Sequence, residues 1–420
     1  MKAFLALAVA LAACGERRAS APAASRTDAA AEVPLVAAAE PRAKGPETGH
    51  GLDEGPLLGT CTAAKRNELT DDRRIDALLD EAGRHLDGAA WGDAFTCADM
   101  AADLQPRSIE AHHLRAAALA GAGHDGAAAT AYAIALALDP EDPETLRAAA
   151  DFYINVTKSK TKDTTALGLE LARRGSARAT ARRRNQHELR GQLALLEAQA
   201  LNDLGHSDDA LERATEAVRL SATLVDAVHE RGVALFNLGR FADARTQFER
   251  VLTASPDDAY AHHLLGLTLE QTGAAEAAEA HFARARTLAP DEFPAPVVVT
   301  PAEMEAEIAA ILARLPADRA ARLRSVPIQV VDFPDPADLG SVSPPFPPTI
   351  LGLYRGLPVG VDPLPGEEVP TRAILLYRMN LARAVRTRAE LTEQIERTLL
   401  HEIGHLEGLD EDDLRRHDLE

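Results

Sequence analysis

The 420-residue chain carries a formal charge of −20 and has 4% aromatic residues. That acidity argues against nucleic acid as a partner. The length allows more than one domain, and beyond the N-terminus no hydrophobic segment approaches the roughly eighteen residues needed to span a bilayer, so the rest of the chain is expected to be soluble.

Lys2 precedes an apolar run from Ala3 to Ala13 that ends at Cys14. The run is too short for a transmembrane helix and has the basic start and small-residue end of a signal peptide. Leu11-Ala12-Ala13-Cys14 resembles a bacterial lipobox, which implies acylation of Cys14 and, with Gly15 following, an outer-membrane anchor facing periplasm or cell surface. Residues 15–60, rich in Ala, Pro, Gly and Glu, are expected to be a disordered tether. Cys61 and Cys97 are then the two cysteines left over, a candidate disulfide in an exported protein.

Residues 61–290 are periodic. Pro106 and Pro140 stand 34 apart, as do Pro256 and Pro290. Aligning the later pair superposes Gly232 on Gly266, Leu235 on Leu269, Gly239 on Gly273, Ala244 on Ala278 and Phe248 on Phe282. One repeat earlier stand Ala198, Leu201, Gly205 and Ala210. The period, the small residues and the closing proline resemble tetratricopeptide repeats, helical hairpins that bury their apolar faces by stacking on neighbours. Five to six repeats are expected: 73–106, 107–140, an irregular 141–187 with an insertion near Lys158 to Thr165, 188–222, 223–256 and 257–290. The resemblance implies a groove for an extended peptide or a protein partner. His113, His229 and His263 share one repeat position, and suggest either packing histidines or a groove whose charge changes near pH 6. Residues 158–190 hold ten Lys/Arg, either a solvated face or a surface for anionic head groups.

Residues 291–301 are proline-rich and read as a hinge. From 302 to 420, a helix is expected over Met304–Leu315, strands at Val326–Val331 and Ala373–Tyr377, and between them a loop, Asp332–Pro348, long enough to suggest a wall of a substrate cleft. Last comes His401-Glu402-Ile403-Gly404-His405-Leu406-Glu407-Gly408-Leu409-Asp410-Glu411. On a helix, His401 and His405 lie one turn apart on one face, where both imidazoles can reach one ion. Glu402 then projects beside the metal as a general base. Gly408 can adopt the left-handed conformation that ends a helix and lets the chain turn back. That turn makes Glu411 the expected third ligand, with Asp412 and Asp410 as substitutes.

The stretch from about Ala302 onward resembles the small bacterial minimal zincins, a family of possible zinc metallopeptidases. The pieces follow in family order: a helix ending in Leu315-Pro316, the strand Val326–Val331, the run Leu351–Gly356, the strand Ile374–Arg378 and the motif helix. The family usually has aspartate where Glu411 stands. The fold expected is mostly α, a tetratricopeptide-repeat solenoid followed by a small α+β zincin-like domain.

The chemistry expected is peptide-bond hydrolysis. Zn2+ held by His401, His405 and an acid keeps a position for water, and Glu402 takes the proton and passes it to the leaving amine. Tyr354, Tyr377 and His417 are candidates to stabilise the oxyanion. An extended substrate is expected to pair with a sheet edge near Ile374–Tyr377. The competing reading is a non-enzymatic scaffold lipoprotein whose zinc is structural or vestigial.

Overall fold

The structure, a computed structural model, describes residues 57–63, 70–179, 186–323, 326–343, 345–362 and 371–416. Cys14, the expected signal peptide and most of the tether lie outside the described residues. No helix among the described residues is long and apolar enough to cross a membrane.

The first part is a row of helical hairpins. They are α1 (Asp71–Asp87) with α2 (Trp91–Leu104), α3 (Ile109–Ala122) with α4 (Asp125–Leu138), and α5 (Pro143–Asp151) with α6 (Lys162–Arg178). Then follow α7 (Gln186–Asp203) with α8 (Ser207–Leu220), α9 (Val225–Asn237) with α10 (Phe241–Ala254), and α11 (Ala259–Gln271) with α12 (Ala275–Leu288). The irregular repeat has a short α5 continued by a π turn, Phe152–Val156. Successive first helices (α1, α3, α5, α7, α9, α11) touch one another, whereas successive second helices barely do. The first helices therefore line the inner side of the stack.

Two local devices account for the period. Two residues after Pro106, Pro140 and Pro256 stands a helix cap: Ser108, Asp142 and Asp258 accept from the backbone N–H groups of Ala111, Thr145 and Ala261, satisfying donors that a helix start leaves open. In addition, Phe248 and Phe282 press on glycines. A Cβ on Gly232 would lie 2.7 Å from Phe248 Cε1, and one on Gly266 equally close to Phe282, so the two helices of each hairpin approach as only glycine allows.

The shared histidine position is a packing position. His113, His229 and His263 lie against the rings of Tyr132, Phe248 and Phe282, each 19 residues later, at centroid distances of 6.3, 5.9 and 5.5 Å. Burial, with Arg147 nearby, pushes the His113 imidazole down to about 4. Burial and Arg383 do the same to His263. For these two the expectation of a groove charge changing near pH 6 is corrected: an imidazole sealed against a ring is held neutral. Part of the basic run is engaged within the fold. Lys160, Arg178 and Arg190 pair with Asp203, Glu141 and Glu216, and Arg174 donates to the Pro140 carbonyl.

Cys61 and Cys97 are joined by a disulfide that fastens residues 57–63 to α2. Beside it, buried Glu81 on α1 accepts from the Thr62 N–H, the Thr62 hydroxyl and the Ala63 N–H at 2.6–2.7 Å.

The second part holds α13 (Pro301–Arg314), α14 (Ala317–Leu323), β1 (Ile328–Val331), α15 (Pro336–Leu339), β2 (Gly352–Arg355), β3 (Ala373–Tyr377), α16 (Arg378–Arg383), α17 (Arg388–Leu406) and α18 (Glu411–Arg416). The sheet order is β1-β3-β2, with β1 parallel and β2 antiparallel to β3. Alternate residues of β3 face two different cores. Ile374 and Leu376 pack with Met304, Ile308 and Ile311 of α13 and with Leu399 and Ile403 of α17. Ala373, Leu375 and Tyr377 pack with Leu339, Phe346 and Ile350. The loop expected as a cleft wall is thus the second layer of the core, because its scattered apolar residues cover the sheet face that no long helix reaches.

The expected hinge is docked rather than loose. Val297 N–H donates to the Ala382 carbonyl at 3.0 Å, and Arg378 and Arg388 donate to the carbonyls of Val299 and Val298. Phe293 stacks on His263 at 4.6 Å. Arg383 at the end of α16 pairs with Glu270 on the inner side of the last repeat and lies over the Phe282 ring at 4.8 Å. The C-terminal part therefore sits on the inner face of the last hairpin.

Candidate metal centre

Helix α17 begins with a reciprocal cap, Thr387 with Glu390, and runs 19 residues to Leu406. Leu391, Ile395, Leu399, Ile403 and Leu406 form its buried stripe, and this fixes which way the other residues point. His401 is 2% exposed and Glu402 5%. The rings of His401 and His405 meet at right angles, with their Nε2 atoms 3.1 Å apart.

His405 Nδ1 lies 3.1 Å from the Leu409 carbonyl. A carbonyl only accepts, so Nδ1 carries the proton and Nε2 of the neutral ring presents its lone pair toward His401. The turn that supplies this carbonyl is closed by Gly408 at φ 88°. Gly408 N–H donates to the His405 carbonyl and Leu409 N–H to that of Gly404, both at 3.0 Å. The end of α17 is further held by Val359 N–H on the Leu406 carbonyl, 2.8 Å. Arg372 steadies that loop through the carbonyls of Leu357, Pro358 and Val361.

Glu402 accepts the backbone N–H of Tyr354 in β2 through Oε2 at 2.6 Å. The approach depends on Gly352, where a Cβ would stand 2.7 Å from Thr398 Cγ2 and 3.1 Å from Glu402 Oε1. Neither Gly352 nor the Tyr354 amide is among the residues expected from sequence. A glycine at the start of strand β2 is the signal for such a close approach.

Two nitrogen ligands of a tetrahedral zinc at about 2.0–2.1 Å lie roughly 3.3 Å apart. The two Nε2 atoms are close to that spacing, and one is fixed as a lone-pair donor. The donor set therefore fits Zn2+. After the turn, Asp410 caps α18 by accepting from Asp413 N–H at 2.8 Å. Glu411 opens α18; its side chain, that of Asp412, and His417 lie outside the described residues.

Other expectations are corrected. Strand β3 is the central strand, so Ile374–Tyr377 offers no free edge, and the edge beside the motif belongs to β2. The Tyr354 hydroxyl donates to the Leu357 carbonyl at 2.5 Å. Tyr377 is wholly buried. Neither hydroxyl is placed to meet a substrate.

A family model described as zincin-like metallopeptidase matches residues 323–420. The C-terminal part of the chain is a zincin-like metallopeptidase domain. A second family model, for the tetratricopeptide repeat, matches residues 229–293, and these end where the strap onto the zincin-like domain begins. No curated protein matches the chain. Among solved structures, the chain is similar to YrrB, described as a tetratricopeptide-repeat protein with an unusual peptide-binding site. The identity is 22% and the TM-score 0.36, over 47% of this chain and 94% of that one. It is also similar to PilF of Pseudomonas aeruginosa, with 16% identity and TM-score 0.45, over 53% of this chain and 96% of that one. PilW, a type IV pilus biogenesis factor, gives 16% and 0.46, over 52% and 96%. In the zincin-like domain the motif helix α17 lies against β2 and β3.

Proposed function

We propose that the protein is a zinc-dependent peptidase, anchored to the cell envelope through an acylated Cys14, whose repeats hold a protein partner or substrate. His401 and His405 hold the metal through Nε2, and Glu411 is the third ligand. The observation that carries this reading is the convergence of the two Nε2 atoms one residue from a carboxylate on the same helix.

Bound zinc supplies a Lewis acid and brings the pKa of a water toward about 7. The chain supplies the rest. His405 is oriented by the Leu409 carbonyl. Glu402 receives the proton of the attacking water and returns it to the leaving amine. The Tyr354 N–H holds the Glu402 carboxylate at the outer side of β2, where an extended substrate would lie as an added strand.

The test is Glu402→Gln in the full chain, assayed on an unfolded protein substrate. The amide removes the proton acceptor and leaves both imidazoles, so zinc content stays unchanged while hydrolysis falls by orders of magnitude. Equal hydrolysis by wild type and variant would remove the assignment of Glu402. A wild type that binds zinc and hydrolyses nothing would favour the scaffold reading.

A further inference from the structure

The zincin-like domain is not the one place where two imidazoles converge. On the last hairpin, His262 of α11 and His281 of α12 bring their Nδ1 atoms to 2.9 Å, with ring centroids 5.1 Å apart. His262 Nε2 lies 3.0 Å from the Pro256 carbonyl. Since a carbonyl only accepts, Nε2 carries the proton, and Nδ1 of neutral His262 presents its lone pair to His281. This is the same arrangement that orients His405, an outer carbonyl fixing the tautomer of an inward imidazole.

The chain contains its own comparison. His112, in the equivalent position of an earlier repeat, makes the same bond from Nε2 to the Pro106 carbonyl at 2.9 Å. The residue 19 positions on is Ala131 there and His281 here. His112 Nδ1 is buried without a partner among the described residues. The carbonyl bond is therefore a packing device of the repeat, and the second imidazole is an addition of the last repeat.

We infer that His262 and His281 form a second site for a borderline-soft divalent transition-metal ion, separate from the motif. Imidazole nitrogen is a preferred ligand of such ions. When the ion enters, the proton on His281 Nδ1 leaves to solvent and Nε2 takes one up, a change of tautomer without change of charge. Water completes the coordination. The ion would tie α11 to α12 in the hairpin whose Glu270 and Phe282 carry Arg383 of the catalytic domain.

The test uses the untagged full chain carrying His401→Ala and His405→Ala, so its outcome does not depend on the motif binding metal. Titrated with zinc alone, this protein should bind one equivalent and melt at a higher temperature with zinc than without. Adding His281→Phe, which keeps a ring between the helices, should abolish both effects, while adding His112→Ala should leave both in place. If the background protein binds no zinc, or if His281→Phe binds as well as its parent, the 2.9 Å pair is a hydrogen bond only and the inference is overturned.

Discussion

Leu414 of α18 occupies the space that a side chain at Gly404 would need, lying directly over the turn of helix between the two motif histidines. Leu414 is fully buried, so the contact sets where α18, and with it Glu411, lies relative to the motif. Gly404→Ala should displace α18 and weaken zinc binding about tenfold or more, as losses of supporting contacts do, with helix content unchanged. Adding Leu414→Ala should restore part of the affinity. Chelator competition reads both, and an unchanged affinity in Gly404→Ala would detach α18 from the metal.

Glu270 and Arg383 are each nearly buried, 12% and 14% exposed at the side chain. Removing one partner of such a pair strands the other charge and costs about 3–5 kcal/mol. The two parts, so joined, should melt together in the wild type, and Arg383→Met should separate the melting of the zincin-like domain from that of the last repeat. Calorimetry would show two transitions in place of one. Glu270→Leu combined with Arg383→Met should cost less than Arg383→Met alone.

His113 and His263 make the solenoid acid-sensitive. Their folded-state pKa is depressed to about 4 from 6.5, so the unfolded chain takes up protons first as pH falls. Their contribution is present above pH 6.5 and is lost as pH falls toward 4, up to roughly 3 kcal/mol for each histidine. His113→Phe with His263→Phe should flatten the stability profile in that window. A profile as steep as that of the wild type would contradict the packing role.

The Cys61–Cys97 disulfide closes a loop with a sequence separation of 36, worth roughly 4 kcal/mol in the chain-entropy account. Glu81 lies beside it. Burial raises its pKa, but the hydrogen bonds from Thr62 and Ala63 prevail and hold the carboxyl down at about 2 from 4.5. Its contribution is therefore in place above pH 4.5 and is lost as pH falls toward 2. Glu81→Gln should lower stability at neutral pH, and the difference from wild type should shrink in acid. Reduction should free residues 57–63 for proteolysis while the later repeats stay protected.

These residues also show what the sequence makes legible. The four-residue spacing of His401 and His405 is enough to place them on one helical face, and Gly408 marks where the helix turns. The 34-residue period follows from glycine–phenylalanine pairs and from caps two residues after proline, all visible as letters. Strand β3 is easily misread as an edge, although its unbroken apolar run is the mark of a strand covered on both faces. The docking of Phe293 and Val299, and of the loop around Leu339 and Phe346, has no periodic signal. Single apolar residues in proline-rich segments reveal their partners only in three dimensions. The grip of Tyr354 on Glu402 is a backbone contact, which a side-chain pattern cannot announce.

If His401 and His405 jointly hold a zinc ion, metal analysis of the full chain beside the His401→Ala/His405→Ala variant should find one zinc fewer per chain in the variant, whatever is bound elsewhere. Equal zinc content in the two proteins would show that the motif holds none.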